Sequence, residues 1–229
     1  MRIINPYVEV PEIDGAQLLR NIEKAGRTCY KSEARITPES HIPFIEMIMK
    51  SGHHSMFEHE KVTARIICDR GVSHEIVRHR LAAYSQESTR YCNYAGEKFG
   101  KEITVIRPFF FEANTEENIG RRIAWETAME NAELGYFDLL DNGASAQEAR
   151  SVLPNSLKTE IVVTYNLREW RHFFTLRAAK AAHPQMQQIA IPLLLWFKDN
   201  LAPLFDDVDY NRDFDTTNYA KVVVMGGDQ

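Results

Sequence analysis

Residues 78–90, Arg-His-Arg-Leu-Ala-Ala-Tyr-Ser-Gln-Glu-Ser-Thr-Arg, constrain the fold more than any other stretch of this chain. Burying a guanidinium is costly unless a counter-charge meets it. Few core segments would carry Arg78, Arg80 and Arg90 so close together. Ser85, Gln86, Glu87, Ser88 and Thr89 lie between the last two of these arginines. Forked guanidiniums with hydroxyl donors suit a bound phosphate. The whole chain is acidic, with a formal net charge of −5. That balance argues against a general nucleic-acid surface. A cationic segment in an acidic protein points instead to a small anionic ligand.

A length of 229 residues fits one large domain or two small ones. We expect a single domain over residues 1–229. Apolar residues make up 44 %, enough for a packed core. Cys29, Cys68 and Cys92 are odd in number and form no Cys-x-x-Cys, so neither a disulfide framework nor a zinc ribbon is expected. A reducing, cytoplasmic setting follows. Residues 1–10 lack a signal-peptide core, and the apolar run Ile189–Phe197 is short and broken by Pro192, so no membrane span is expected.

Strands are predicted over Arg2–Val10, Lys61–Asp69, Ile103–Ile106, Lys158–Tyr165 and Val222–Val224. Helices are predicted over Asp14–Ala25, Thr37–Lys50, Val72–Arg80, Glu116–Leu140, Ala146–Leu153, Leu167–Arg177 and Met186–Asn200. Leu81–Asn93 reads as a functional loop. Without a regular βαβ rhythm, the class is α+β: a mostly antiparallel central sheet flanked by helices, not a Rossmann fold. No Gly-x-Gly-x-x-Gly or Walker loop is present. On a helix, Arg78 and Arg80 would project about 200° apart and face two neighbouring ligands rather than one.

His53, His54, Glu58, His59, His74 and His79 invite a metal reading, but no His-Glu-x-x-His or other fixed ligand spacing occurs, so no metal is expected. Ser55 reads from its residue type as a helix cap, since Ser is a favoured N-cap. Arg168 and His172 are four apart and share a helix face, with Arg177 displaced from it, whereas Trp170, Phe173 and Phe174 read as core.

Four segments in order resemble the signature motifs of the flavin-dependent thymidylate synthases. They are Gly52-His53-His54-Ser55-Met56-Phe57-Glu58-His59, the 78–90 stretch, Arg150-Ser151-Val152-Leu153-Pro154, and Asn166-Leu167-Arg168-Glu169-Trp170-Arg171-His172 through Arg177. The resemblance implies reductive methylation of dUMP to dTMP. 5,10-Methylenetetrahydrofolate would donate the carbon, FAD would mediate hydride transfer, and NADPH would be the reductant. It implies flavin contacts at His53, Ser55, Arg78, His79, Arg80, Gln86, Asn166, Leu167, Arg168 and His172. It implies nucleotide contacts at Glu75, Arg78, Gln86, Glu87, Ser88, Thr89, Arg90, Arg150 and Arg177. Arg177 would lie against the uracil edge and stabilise charge as N3 ionises, since a guanidinium holds an anion rather than taking a proton. It also implies a homotetramer with active sites at subunit interfaces.

Two departures stand out: Gln86 where many members carry Glu, and His172 where Asn is common. His172 adds a titratable group. Competing readings remain. Cys92 lies near the motif but has no evident base, and Ser88 reads more simply as a ligand than as a nucleophile. A nucleotide- and flavin-binding regulator without turnover, or a metal-dependent hydrolase built on the His53–His59 region, would use the same residues differently.

Overall fold

Pro6 divides the first predicted strand. Proline offers no N–H to a ladder, and the chain forms two strands in place of one: β1 (Arg2–Ile4) and β2 (Tyr7–Pro11). The computed structural model describes residues 1–112 and 115–226. Asp14 then opens α1 (Gly15–Thr28) by accepting a hydrogen bond from the Gln17 amide at 2.9 Å. The helix expected from Thr37 starts only at His41, as α2 (His41–Lys50). Ser40 Oγ donates to the Glu23 carboxylate at 2.9 Å and accepts from Thr37 N at 2.8 Å, so Thr37-Pro38 forms a turn instead of a cap.

β3 (Lys61–Asp69) spans the predicted residues. Asp69 caps α3 (Arg70–Ile76), accepting from the Val72 amide at 2.8 Å. This helix stops four residues earlier than predicted. Arg78 and Arg80 lie beyond it, and the helical angle between them does not apply. The first half of the expected loop is a strand, β4 (Ala82–Gln86). β5 (Thr104–Ile106), α4 (Glu116–Asp141) and α5 (Ala146–Ala149) follow, the last continuing as a 3-10 turn over Arg150–Val152. β6 (Lys158–Asn166) leads directly into α6 (Leu167–Arg177), and α7 (Pro184–Asn200) runs on through Pro192. β7 is Lys221–Met225.

The expected α+β class is observed. A five-stranded, mostly antiparallel sheet has the order β4-β6-β3-β2-β7, in which β2 and β7 are parallel with Tyr7 opposite Lys221. A separate parallel pair joins β1 to β5. The chain divides into two compact units. One comprises Met1–Pro6, Ile66–Arg78 and Ser85–Ile161; the other comprises Tyr7–Arg65, His79–Tyr84 and Val162–Gln229.

The first unit packs Tyr94, Ile103, Val105, Met129, Tyr136, Ala149 and Leu157 into one cluster. α4 buries only Met129 and Tyr136 of its residues, while Ile119, Ile123 and Leu134 stay exposed. In the second unit, α6 buries Trp170, Phe173 and Phe174 completely, as their spacing predicts. Trp170 stacks on Phe174 at 5.4 Å between ring centroids, and its indole N–H donates to the Val62 carbonyl at 3.0 Å. That anchoring fixes the helix on which the polar residues of the last motif are carried.

Candidate active site

α6 begins where Asn166, at the end of β6, turns its side chain back to accept from the Glu169 amide at 2.8 Å. The same residue that the sequence marks as a ligand contact therefore caps the helix. One turn on, Glu169 is buried, and its Oε1 lies 3.0 Å from Nδ1 of His79, also buried. On the other side of the ring, Arg177 Nε donates to His79 Nε2 at 3.1 Å. A carboxylate only accepts here and an arginine Nε–H only donates. The imidazole must therefore carry its proton on Nδ1 and leave Nε2 bare. Burial, the largest influence, lowers the pKa of His79 and outweighs the raising effect of its hydrogen bond to Glu169; the Arg177 charge lowers it further. His79 is neutral, so its contact with Glu169 is a hydrogen bond rather than an ion pair.

Tyr84 and Tyr165 close the polar cluster. The Tyr84 hydroxyl donates to the His79 carbonyl and lies 2.7 Å from the Tyr165 hydroxyl, which must donate to it. Burial pushes both phenols above their ordinary range, so both stay protonated. His172 is exposed, with its ring 5.6 Å from that of His79. His79, Glu169 and His172 bring ligand-type atoms within 4.8 Å of one another. Both nitrogens of His79 are engaged already, which does not favour a cation there.

The second unit also holds a cavity of about 740 Å³. His53, His54, Ser55 and Arg168 line it, together with Arg27, Arg35, Tyr30, Phe44 and Met47. Ser55 sits inside a 3-10 turn, His54–His59, and caps nothing; His53 holds the capping position without a side-chain bond. Arg168 pairs with Glu58 at 2.6 Å, and Arg27 pairs with the buried Glu23 at 2.7 Å. Among the described residues, Arg35 makes no ion pair. Arg80 is exposed and likewise unpaired, and Leu167 is buried in the core.

The first unit carries the other predicted residues. Gln86 Nε2 donates to Ser73 Oγ at 3.0 Å and to Thr159 Oγ1 at 3.1 Å. Ser73 spends its own proton on the Arg70 carbonyl at 2.9 Å. In this arrangement position 86 acts as the donor, a role that an amide fills and an ionised carboxylate does not. Glu87 accepts from Tyr94 at 3.2 Å and from Lys158 at 2.9 Å. Burial alone would lower the Lys158 ammonium, but its bonds to Glu160 and Glu87 together raise it. Ser88 Oγ accepts from the Arg90 amide at 3.3 Å, Thr89 is buried, and Glu75 is half-buried. Arg78, Arg90 and Arg150 are exposed, and among the described residues none is in an ion pair. The Arg90 guanidinium lies over the Tyr91 ring at 5.4 Å.

Sequence reasoning missed Glu169, Tyr84 and Tyr165 in the polar cluster, and Arg27 and Arg35 in the cavity wall. Glu169 had a signal: it adjoins Trp170 and lies four residues before Phe173, so an acid falls on the helix face predicted to be apolar. A carboxylate there demands a buried partner. The tyrosines and the cavity arginines carried no comparable mark, because their neighbours come from distant segments.

Residues 15–202 match the family model described as thymidylate synthase complementing protein. A protein of Geobacter sulfurreducens named flavin-dependent thymidylate synthase is 36 % identical over 190 residues, covering 80 % of this chain and 78 % of that one. Proteins of the same name from Corynebacterium aurimucosum and Mycobacterium tuberculosis are 33 % and 31 % identical, covering 87 % and 91 % of this chain and 83 % and 86 % of their own. A crystal structure of a UMP/dUMP methylase, PolB from Streptomyces cacaoi bound with 5-Br dUMP, shares the fold. Its TM-score is 0.71 and its identity 23 %, over 91 % of this chain and 96 % of that one.

Proposed function

The chain belongs to the flavin-dependent thymidylate synthase family, and on that premise we propose that it converts dUMP to dTMP with 5,10-methylenetetrahydrofolate as carbon donor, FAD as cofactor and NADPH as reductant. The observation that carries this reading is the state of the motif guanidiniums. Arg78, Arg80, Arg90 and Arg150 are exposed and, among the described residues, free of ion pairs, whereas Arg65, Arg168 and Arg171 each meet a carboxylate. Exposed guanidiniums without a counter-charge are available to an anionic substrate.

The cavity of the second unit fits a flavin dinucleotide. Its volume lies in the range of small-molecule sites, roughly 300–1,000 Å³. Arg35, His53 and Ser55 offer donors to a pyrophosphate, and Phe44 and Met47 offer an apolar wall to a ring. His53, Ser55, Arg168 and, from the same unit, His79, Arg80, Asn166 and His172 would hold it; Leu167, buried in the core, offers it no surface. When bound, the flavin supplies the hydride. Glu75, Arg78, Gln86, Ser88, Thr89, Arg90 and Arg150 would hold dUMP. Glu87 serves this set by bracing Tyr94 and Lys158. Arg177, whose Nε donates to His79, would lie against the uracil edge, where a fixed cation stabilises the charge that develops at N3.

No cysteine is required. Cys68 is buried, and burial pushes its thiol well above the ordinary range; Cys92 is half-buried. The protein works in the cytoplasm, as one functional domain that assembles into a tetramer with shared sites. Among the described residues no helix is long and apolar enough to cross a membrane.

The test is direct. Purified protein should be yellow, should bleach with NADPH, and should form dTMP when dUMP and methylenetetrahydrofolate are added. A colourless protein that binds dUMP without turnover would establish the regulator reading in its place.

A further inference from the structure

We propose that Glu169 is a positioning residue for Arg177, acting through His79: its carboxylate holds the proton of the imidazole on Nδ1, and the bare Nε2 then accepts from Arg177 Nε and aims the guanidinium. The proposal rests on the reading of Arg177 as the uracil-edge residue. Its geometric basis is a continuous chain, Glu169 Oε1 to His79 Nδ1 at 3.0 Å and His79 Nε2 to Arg177 Nε at 3.1 Å.

The three groups constrain one another through the direction of each hydrogen bond. Arginine has no acceptor and a carboxylate no proton to give, so only one tautomer of the ring between them satisfies both. The other tautomer would set Nε2–H against Nε–H and the bare Nδ1 against a carboxylate. The imidazolium would keep the bond to Glu169 but turn a second cation onto Arg177. Both alternatives release the guanidinium.

Titratable and charged groups face the ring from three elements; Glu169 raises its pKa, whereas Arg177 and His172 lower it. From α6 these are Glu169, His172 and Arg177; from β6, Tyr165; and from β4, Tyr84, whose hydroxyl holds the His79 carbonyl. Burial and the Arg177 charge lower the pKa of His79, which keeps the ring neutral where cells operate. Phe173 packs edge-on against the ring at 5.1 Å and limits its rotation. Glu169 itself is 6 % exposed, so its charge is sheltered from solvent.

Two readouts test this. The first is the 15N spectrum of the imidazoles in the full-length protein, with His79 assigned among the eight histidines by its loss in His79→Gln. Near neutral pH, Nε2 should give the signal of an unprotonated nitrogen and Nδ1 that of a protonated one. The ring should titrate below the ordinary histidine value of about 6.5. A protonated Nε2, or a ring that titrates at or above that value, would overturn the proposal.

The second readout is turnover. Glu169→Leu should lower kcat roughly 10²-fold, the scale of a misplaced catalytic group. Glu169→Gln keeps an acceptor for Nδ1–H and should recover most of the loss. Equal kcat in all three proteins, or a Gln variant as poor as the Leu variant, contradicts the mechanism. If the Leu variant does not fold, the Gln variant and the wild-type spectrum still decide. A protein that makes no dTMP refutes the proposed function alone, because the tautomer is read without substrate.

Discussion

At the scale of single residues, hydrogen-bond direction explains what composition leaves open. Gln86 donates to Ser73 Oγ, which has given its own proton to the Arg70 carbonyl and accepts in this arrangement. Gln86→Glu should therefore destabilise the protein by about 1–3 kcal/mol, the cost of a buried polar group set against the wrong partner. Urea unfolding at neutral pH measures this; unchanged stability would show that the hydroxyls reorient. His79 has a folded pKa below its unfolded value. Between those two values the unfolded chain binds more protons, so stability falls as pH drops from about 6.5 toward the folded value and levels off below it. His79→Gln should flatten that part of the stability profile. Cys92→Ala should leave turnover intact and Arg177→Ala should abolish most of it; the reverse result would restore a cysteine nucleophile. Which residues to weigh as candidates was legible from the resemblance of the motifs. The role of Glu169 was not, because its partner lies 90 positions away in the sequence.

At the scale of elements, the apolar pattern located nearly every helix and strand, and local hydrogen bonding set the boundaries. β3 and α6 span the predicted residues because a cap or an uninterrupted apolar pattern marks each end. α3 ends early, and β4 takes residues that read as loop, because polar side chains such as Ser85 and Gln86 conceal a strand whose pairing with β6 is non-local. Pro6 broke a strand that the apolar pattern alone joined. α6 is the element on which Arg177 depends. Trp170→Ala should cost about 3–5 kcal/mol, the usual range for emptying a large core position. Activity should fall with it, since the helix loses its contact with Val62 and Phe197. Thermal unfolding together with turnover checks this, and a stable but inactive variant would show that Trp170 acts on the site rather than on the fold.

At the scale of the whole molecule, the fold class was legible because the sequence lacks both the βαβ rhythm and the glycine-rich loops of a dinucleotide fold. The distribution of the site was not. The residues expected at the nucleotide lie mostly in the first compact unit, and those expected at the flavin, with Arg177, mostly in the second. If active sites are shared between subunits, mixing an Arg90→Ala chain with an Arg177→Ala chain should restore part of the activity that each lacks alone. Absence of rescue would locate each site within one chain. The central claim is that the uncommitted guanidiniums of the motifs hold the nucleotide while Arg177 meets its base. A crystal structure of the protein with FAD and dUMP measures it most directly. The account predicts Arg78, Arg90 and Arg150 within hydrogen-bond distance of the nucleotide and its phosphate, and Arg177 on the uracil edge with its Nε still on His79. A complex in which these side chains point into solvent, or in which the nucleotide binds elsewhere, would contradict it.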